Sequence, residues 1–150
     1  MTADHSQEDV AVLKWDKSLE TGIMVTDEQH RALFKQVNTL FDDRKSGRVP
    51  ETLAFIEEYV MMHFGTEEMM QKISKYPKAA AHKEMHENFA VAFAGLKKEY
   101  EESDADDMLI LMKITKELVD WLNNHVKGAD KEFGEYFKAS GFDQLAGADD

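Results

Sequence analysis

The sequence predicts an all-α protein, an up-down-up-down antiparallel four-helix bundle with an N-terminal arm and a short C-terminal helix. Apolar residues recur at alternating steps of three and four along four long segments, which is typical of helices with one buried face. The segments are joined by short connections, so consecutive helices are expected to be antiparallel neighbours. A chain of 150 residues can bury one good core, and we therefore expect one domain.

Local signals indicate where the first two helices begin and end. Residues 1–25 are expected to form an arm along the bundle. Thr26, followed three residues later by a glutamine, matches a capping box that would begin helix A, and Gly47 would end it. Pro50 suits the first turn of helix B, which is expected to reach about Ser74.

The second half of the chain carries similar signals. Pro77 is expected to start helix C, which would last until about Glu102. Ser103 or Asp104 can cap helix D, and Gly128 offers that helix a left-handed C-terminal stop.

The C-terminal region is expected to be short and simple. A brief helix follows over residues 131–138, and residues 140–150 form a small-residue, acidic tail that we expect to be flexible. The four-helix domain would therefore span residues 26–139.

The composition excludes several classes of protein and of metal site. The net charge of -12 disfavours nucleic acids and anionic membranes, since both require a basic patch. The absence of cysteine excludes thiolate zinc sites and iron–sulfur clusters, so a bound metal would need nitrogen and oxygen ligands. Because the sequence shows neither a signal-peptide pattern nor an apolar stretch of about 20 residues, we expect a cytoplasmic protein.

Each of the four helices places at least one histidine on the stripe that should face the core. With a rise of about 1.5 Å per residue, these histidines and one carboxylate lie near the same end of the bundle. Buried imidazoles and carboxylates need partners, and a metal would supply them. The residues are His30, His63, Glu67, His82, His86 and His125.

A single core histidine is more often hydrogen-bonded than bound to a metal. Five at one level favour a metal site, particularly because His5 is the only other histidine in the chain. Residues four apart project side by side from a helix, which suits ligation by His63 with Glu67. By the same geometry, Glu68 is expected to face elsewhere.

The segments 27–30, 63–68, 82–86 and 125–130 resemble the hemerythrin family, and the resemblance extends over roughly residues 15–137. It implies an oxo- or hydroxo-bridged pair of iron ions. One iron would be bound by His82, His86 and His125, the second by His30 and His63, and both by the bridging carboxylates of Glu67 and Asp130.

Asp130 enters this set through the resemblance, because a spacing of five residues from His125 would turn it away on a continuous α-helix. We expect the chain to leave helical geometry at Gly128.

The resemblance also implies the function. Five histidine nitrogens, two bridging carboxylates and the oxo bridge leave one octahedral position open, on the iron with two histidines, and the family binds dioxygen there. Phe64, Trp121 and Leu122 match the family's oxygen-pocket positions, although they would pack in the core in any case. We therefore expect a non-enzymatic, monomeric protein that carries, stores or delivers dioxygen.

Other functions remain open from the sequence. An oxygen or redox sensor would need a protein partner, which nothing in the chain indicates. An oxidoreductase that removes peroxide or nitric oxide could use the same open position. A ferritin-like oxidase is less favoured because the inward-facing stripes carry no Glu-x-x-His pair, and a purely structural bundle ranks last.

Overall fold

The computed structural model describes residues 14–103 and 108–141, and all regular structure within them is helical. No helix in these two ranges is long and apolar enough to cross a membrane. In chain order the elements are a 3₁₀ turn Lys17–Leu19, α1 Met24–Asn38, α2 Leu40–Ser46, α3 Val49–Ser74, α4 Ala79–Glu102, α5 Met108–His125, a π-helical turn Val126–Asp130 and α6 Lys131–Ser140.

The predicted antiparallel bundle is confirmed. Its rods are α1 with α2, then α3, α4 and α5; α1 contacts α3 and α5, and α4 lies between α3 and α5. Apolar side chains from all of these rods form one core, and a smaller cluster lies beneath α6. The buried residues of the main core include Leu33, Leu53, Ile56, Phe89, Phe93, Leu111, Ile114 and Leu118.

The predicted start of helix A is wrong by three residues, because the N-cap is Ile23 and not Thr26. α1 begins at Met24 without a side-chain cap, and Thr26 is buried within its first turn. Asp27 instead accepts hydrogen bonds from the backbone N–H and the hydroxyl of Thr21, at 2.8 and 2.9 Å, and from the N–H of Gly22. This carboxylate therefore fixes the arm to the first turn of the helix.

Helix A is also interrupted, whereas one continuous helix was expected. The hydroxyl of Thr39 donates to the carbonyl of Gln36 at 2.8 Å and to the carboxylate of Asp43 at 3.2 Å. Such local bonds compete with the helical pattern, and the chain is divided here into α1 and α2. Gly47 adopts φ 76° and ends α2, as predicted.

The connection between α3 and α4 is longer than predicted. α3 ends at Ser74 as expected, but Lys75 is left-handed at φ 58° and Pro77 lies in a turn before α4 begins at Ala79. α4 ends at Glu102 as predicted. The proposed cap at Asp104 lies outside the described residues.

Gly128 is not a left-handed helix stop, contrary to prediction. The described left-handed glycines are Gly22, Gly47 and Gly141, and the segment containing Gly128 is a π-helical turn. A π-helix bonds residues five apart and so is wider than an α-helix, in which such residues differ by about 140° in direction. The turn therefore brings Asp130 back to the face that carries His125.

The arm and α6 pack against each other at the same end of the bundle. A Cβ atom on Gly134 would lie 2.2 Å from the backbone oxygen of Thr21, so only glycine permits this approach. In the arm, Trp15 packs edge-on against Phe34 of α1 at 5.4 Å between ring centroids. The apolar residues 10–13 that precede it lie outside the described residues.

Candidate metal centre

The structure brings the seven predicted ligand residues together in the bundle interior. Each of them is at most 6% exposed. α1 supplies one histidine, α3 a histidine and a glutamate, α4 two histidines, α5 one histidine and the π-helical turn an aspartate: His30, His63, Glu67, His82, His86, His125 and Asp130.

Five of these residues form a first donor group, in which one donor atom from each lies within 4.8 Å of the others. The group consists of Glu67, His82, His86, His125 and Asp130. His82 Nε2 lies 3.0 Å from His125 Nε2, 3.0 Å from Asp130 Oδ1 and 3.1 Å from Glu67 Oε1. Neighbouring octahedral ligands bound at about 2.1 Å are held about 3.0 Å apart, so these spacings fit a metal ion.

His30, His63 and Asp130 form a second donor group. The two Nε2 atoms lie 3.0 Å apart, and His30 Nε2 lies 2.9 Å from Asp130 Oδ2. Asp130 therefore directs Oδ1 at the first group and Oδ2 at the second, which suits a bridging carboxylate. Glu67 belongs by the same distance criterion to the first group alone.

Several buried donor atoms of the centre lack hydrogen-bond partners within the described chain. They include both carboxylate oxygens of Glu67, both of Asp130, and His86 Nε2. They face other potential metal donors, as the 3.2 Å between His86 Nε2 and Glu67 Oε1 illustrates. Buried polar groups left in this way are costly, and a cation placed among them would satisfy them together. The arrangement therefore fits metal ions.

The environment sets the protonation of the donors. Burial, reinforced by the neighbouring His30, lowers the pKa of His63 to about 4, so this ring is neutral at pH 7. Burial opposes charge on His82, but the carboxylates of Asp130 and Glu67, 3.0 and 3.1 Å from its Nε2, outweigh it and raise its pKa to about 9. Burial likewise opposes charge on the two carboxylates, yet the surrounding histidines hold the pKa of each below its usual value.

Two residues that contact the predicted ligand histidines were missed in the sequence. Glu68 does not face away: its Oε2 lies 2.8 Å from Nδ1 of His86. Gln29 Oε1 lies 2.6 Å from Nδ1 of His63. When Nδ1–H donates to these oxygens, the Nε2 lone pair of each ring is directed into the centre. Each residue directly adjoins a predicted ligand in the chain, which was the available signal.

Aromatic rings cover the first donor group. Phe64 stacks on His86 at 3.8 Å between centroids, and Trp121 stacks on His125 at 4.0 Å. Leu122 is buried beside them in the core. Phe64 and Trp121, two of the predicted oxygen-pocket residues, therefore lie against the candidate centre, and both stacking contacts are with rings of the five-residue group.

Comparisons with a family model, with protein sequences and with solved structures all lead to the same family. The family model "Hemerythrin HHE cation binding domain" matches residues 21–137. The chain is 34% identical to a "Bacteriohemerythrin" of Stenotrophomonas maltophilia, with coverage of 87% of this chain and 84% of that protein. It is 32% identical to a "Myohemerythrin" of Theromyzon tessulatum, with coverage of 80% and 89%. A solved structure, "Crystal structure of hemerythrin:wild-type", superposes with a TM-score of 0.74 at 29% identity, covering 85% of this chain and 98% of that one.

Proposed function

The chain belongs to the hemerythrin family, and we propose that it binds dioxygen reversibly at a pair of iron ions held by the two donor groups. The observation that supports this proposal is that the two donor groups differ in size. Five residues converge in the first group and three in the second, with Asp130 shared. A metal with fewer protein ligands keeps a position for an exogenous ligand. A pair of ferrous ions would supply the two electrons that dioxygen takes up on binding.

The proposed ligands follow the two groups. His82, His86 and His125 would hold one iron, and His30 and His63 the other. Asp130 would bridge them, as its two oxygens already face different groups. Glu67 would be the second bridge through Oε2, which is buried without a hydrogen-bond partner in the described chain. Imidazole with carboxylate is a donor set that suits iron, since no thiolate is available.

The surrounding side chains would make binding reversible by restricting water. Phe64 and Trp121 lie flat on two ligand rings, and Leu122 is buried in the adjoining core. An apolar shell of this kind limits solvent access and influences the redox potential of the metals. Since these residues carry no titratable group, they offer no proton for further reduction of dioxygen. We therefore propose carriage, storage or delivery in preference to catalytic turnover.

Repeated oxygenation would test this proposal. Iron-loaded, fully reduced protein is exposed to dioxygen and then flushed with argon while optical spectra are recorded. The expected result is a spectrum that appears and disappears over several cycles with iron content unchanged. Complete conversion to an oxidised form in the first cycle would contradict reversible binding. Sustained consumption of peroxide or nitric oxide with a reductant would favour an oxidoreductase.

A further inference from the structure

A groove outside the metal centre lies between the C-terminal half of α3 and the first turns of α4. Its volume is about 550 Å³, and its lining includes Gly65, Gln71, Lys72, Ala80 and Lys83. A Cβ atom placed on Gly65 would meet nothing within 4 Å, so the absence of a side chain there leaves space in the groove.

Gln71 gives the groove an unusual polar wall. It is 1% exposed, yet neither its Oε1 nor its Nε2 has a hydrogen-bond partner in the described chain. A buried amide without partners is unfavourable unless a ligand supplies them. Gln71 lines the groove, and its Nε2 would offer two donors to a bound molecule once the amide turns towards it.

The charge of the groove favours an anion. Lys72 and Lys83 both line it, and neither forms an ion pair within the residues that the structure describes. The one carboxylate in the lining, Glu68, is bound to the Nδ1 of His86. Two cations without partners are notable in a protein whose net charge is -12.

The N-terminus of α4 adds to this potential. The helix is 24 residues long, its first turn contains no acidic residue, and Lys78 provides no side-chain cap. The N–H groups of Ala79 and His82 bond to the carbonyls of Tyr76 and Lys78. Ala80 lies between these two residues in the first turn, where N–H groups have no carbonyl acceptor within the helix. The helix dipole favours negative charge at this end.

We propose that this groove is a binding site for a small oxyanion, held by the ammonium groups of Lys72 and Lys83, the amide of Gln71 and the start of α4. The ligand class comprises carboxylates and tetrahedral oxyanions, which share the oxygen acceptors that these donors require. The site is separate from the proposed dioxygen position, and its occupancy does not depend on dioxygen binding.

Equilibrium dialysis of the metal-loaded protein with radiolabelled sulfate tests the site, with sodium chloride keeping the ionic strength constant. We expect about one sulfate per chain. Lys72→Gln and Lys83→Gln should each weaken binding about tenfold, the usual loss for a charged hydrogen bond. Lys98→Gln, in the same helix as Lys83 but pairing with Glu102 at the surface, should leave binding unchanged.

Two further variants separate binding from folding. Gly65→Leu should fill the groove and reduce sulfate binding without altering charge. Gln71→Leu should reduce binding while raising the thermal midpoint, because an unpaired buried amide is replaced by an apolar side chain. Metal content and optical oxygenation are measured for each variant, so that damage to the metal centre is recognised separately.

Absence of sulfate uptake would overturn the proposal, as would uptake that survives both lysine substitutions and Gly65→Leu. Uptake that disappears when the metal is removed, and is unaffected by those variants, would place the anion on the metal instead. Displacement of sulfate by acetate or by inorganic phosphate would support the oxyanion class and show which member binds more tightly.

Discussion

Replacing His63 by alanine should remove one of the two metal ions and leave the other. His63 belongs to the three-residue donor group, in which its Nε2 lies 3.0 Å from that of His30. Its loss would leave His30, Asp130 and the proposed bridging carboxylate of Glu67 as the protein ligands there. The five-residue group contains neither histidine of the smaller group and would remain complete.

The magnitude follows from the ligand count and from linkage. Metal content should fall from about two ions per chain to about one, measured by elemental analysis after gel filtration. A metal present at 100 times its dissociation constant stabilises the fold by about 2.7 kcal/mol. For a chain of this size, the metal-induced rise in thermal midpoint should then be smaller by roughly 5–11 °C than in the parent protein.

His5→Ala is the matched control, because His5 is the one histidine outside the proposed centre. It should retain about two ions per chain and the full metal-induced rise. Two ions in the His63→Ala variant would show that His63 is not a ligand. Loss of both ions would show that the two donor groups do not bind independently.

Three further results are expected. Gly134→Ala should lower the free energy of unfolding in urea by roughly 1–3 kcal/mol, because its methyl group would meet the arm backbone at 2.2 Å. Gly95→Ala, whose methyl group would meet nothing within 4 Å, should raise that free energy by about 1 kcal/mol. Equal effects of the two substitutions would contradict the packing described. The stability of the metal-free protein should be greatest near the unfolded histidine pKa of about 6.5. The pKa of His63, lowered to about 4, makes stability fall as the pH drops from 6.5 towards 4, because the unfolded chain then binds more protons. The pKa of His82, raised to about 9, stabilises the fold fully below pH 6.5, and this contribution is lost as the pH rises through 9, because the folded chain then binds more protons than the unfolded chain. A urea midpoint that does not change across this pH range would contradict both pKa assignments. Phe64→Ala should cost about 3–5 kcal/mol and speed irreversible oxidation of the iron-loaded protein, and an unchanged oxidation rate would remove Phe64 from the proposed barrier to water.

The sequence was most informative where the signal is local and periodic. The alternation of three and four placed the proposed ligand histidines on the inner faces, since helix geometry fixes direction and rise from residue to residue. His30, His63, His82 and His86 therefore needed no tertiary information. His125 was found in the same way, because α5 is regular up to that residue.

Other features depend on choices that periodicity does not encode. Asp130 reaches the centre through a π-helical turn. If the same residues are assumed to be α-helical, Asp130 is predicted to point away from the centre. Thr26 is a residue type that is common at N-caps, but the helix begins earlier, at Met24, and Asp27 binds the arm. The contact between Glu68 and His86 depends on the spacing of α3 and α4, which follows from packing of the whole core.

The central claim is that four helices hold a dinuclear metal centre, and diffraction from crystals of the iron-loaded protein at the iron absorption edge tests it most directly. We expect two anomalous peaks about 3.5–4 Å apart, one among the Nε2 atoms of His82, His86 and His125 and one beside those of His30 and His63, with Asp130 between them. A single peak, or peaks away from these nitrogens, would contradict the claim.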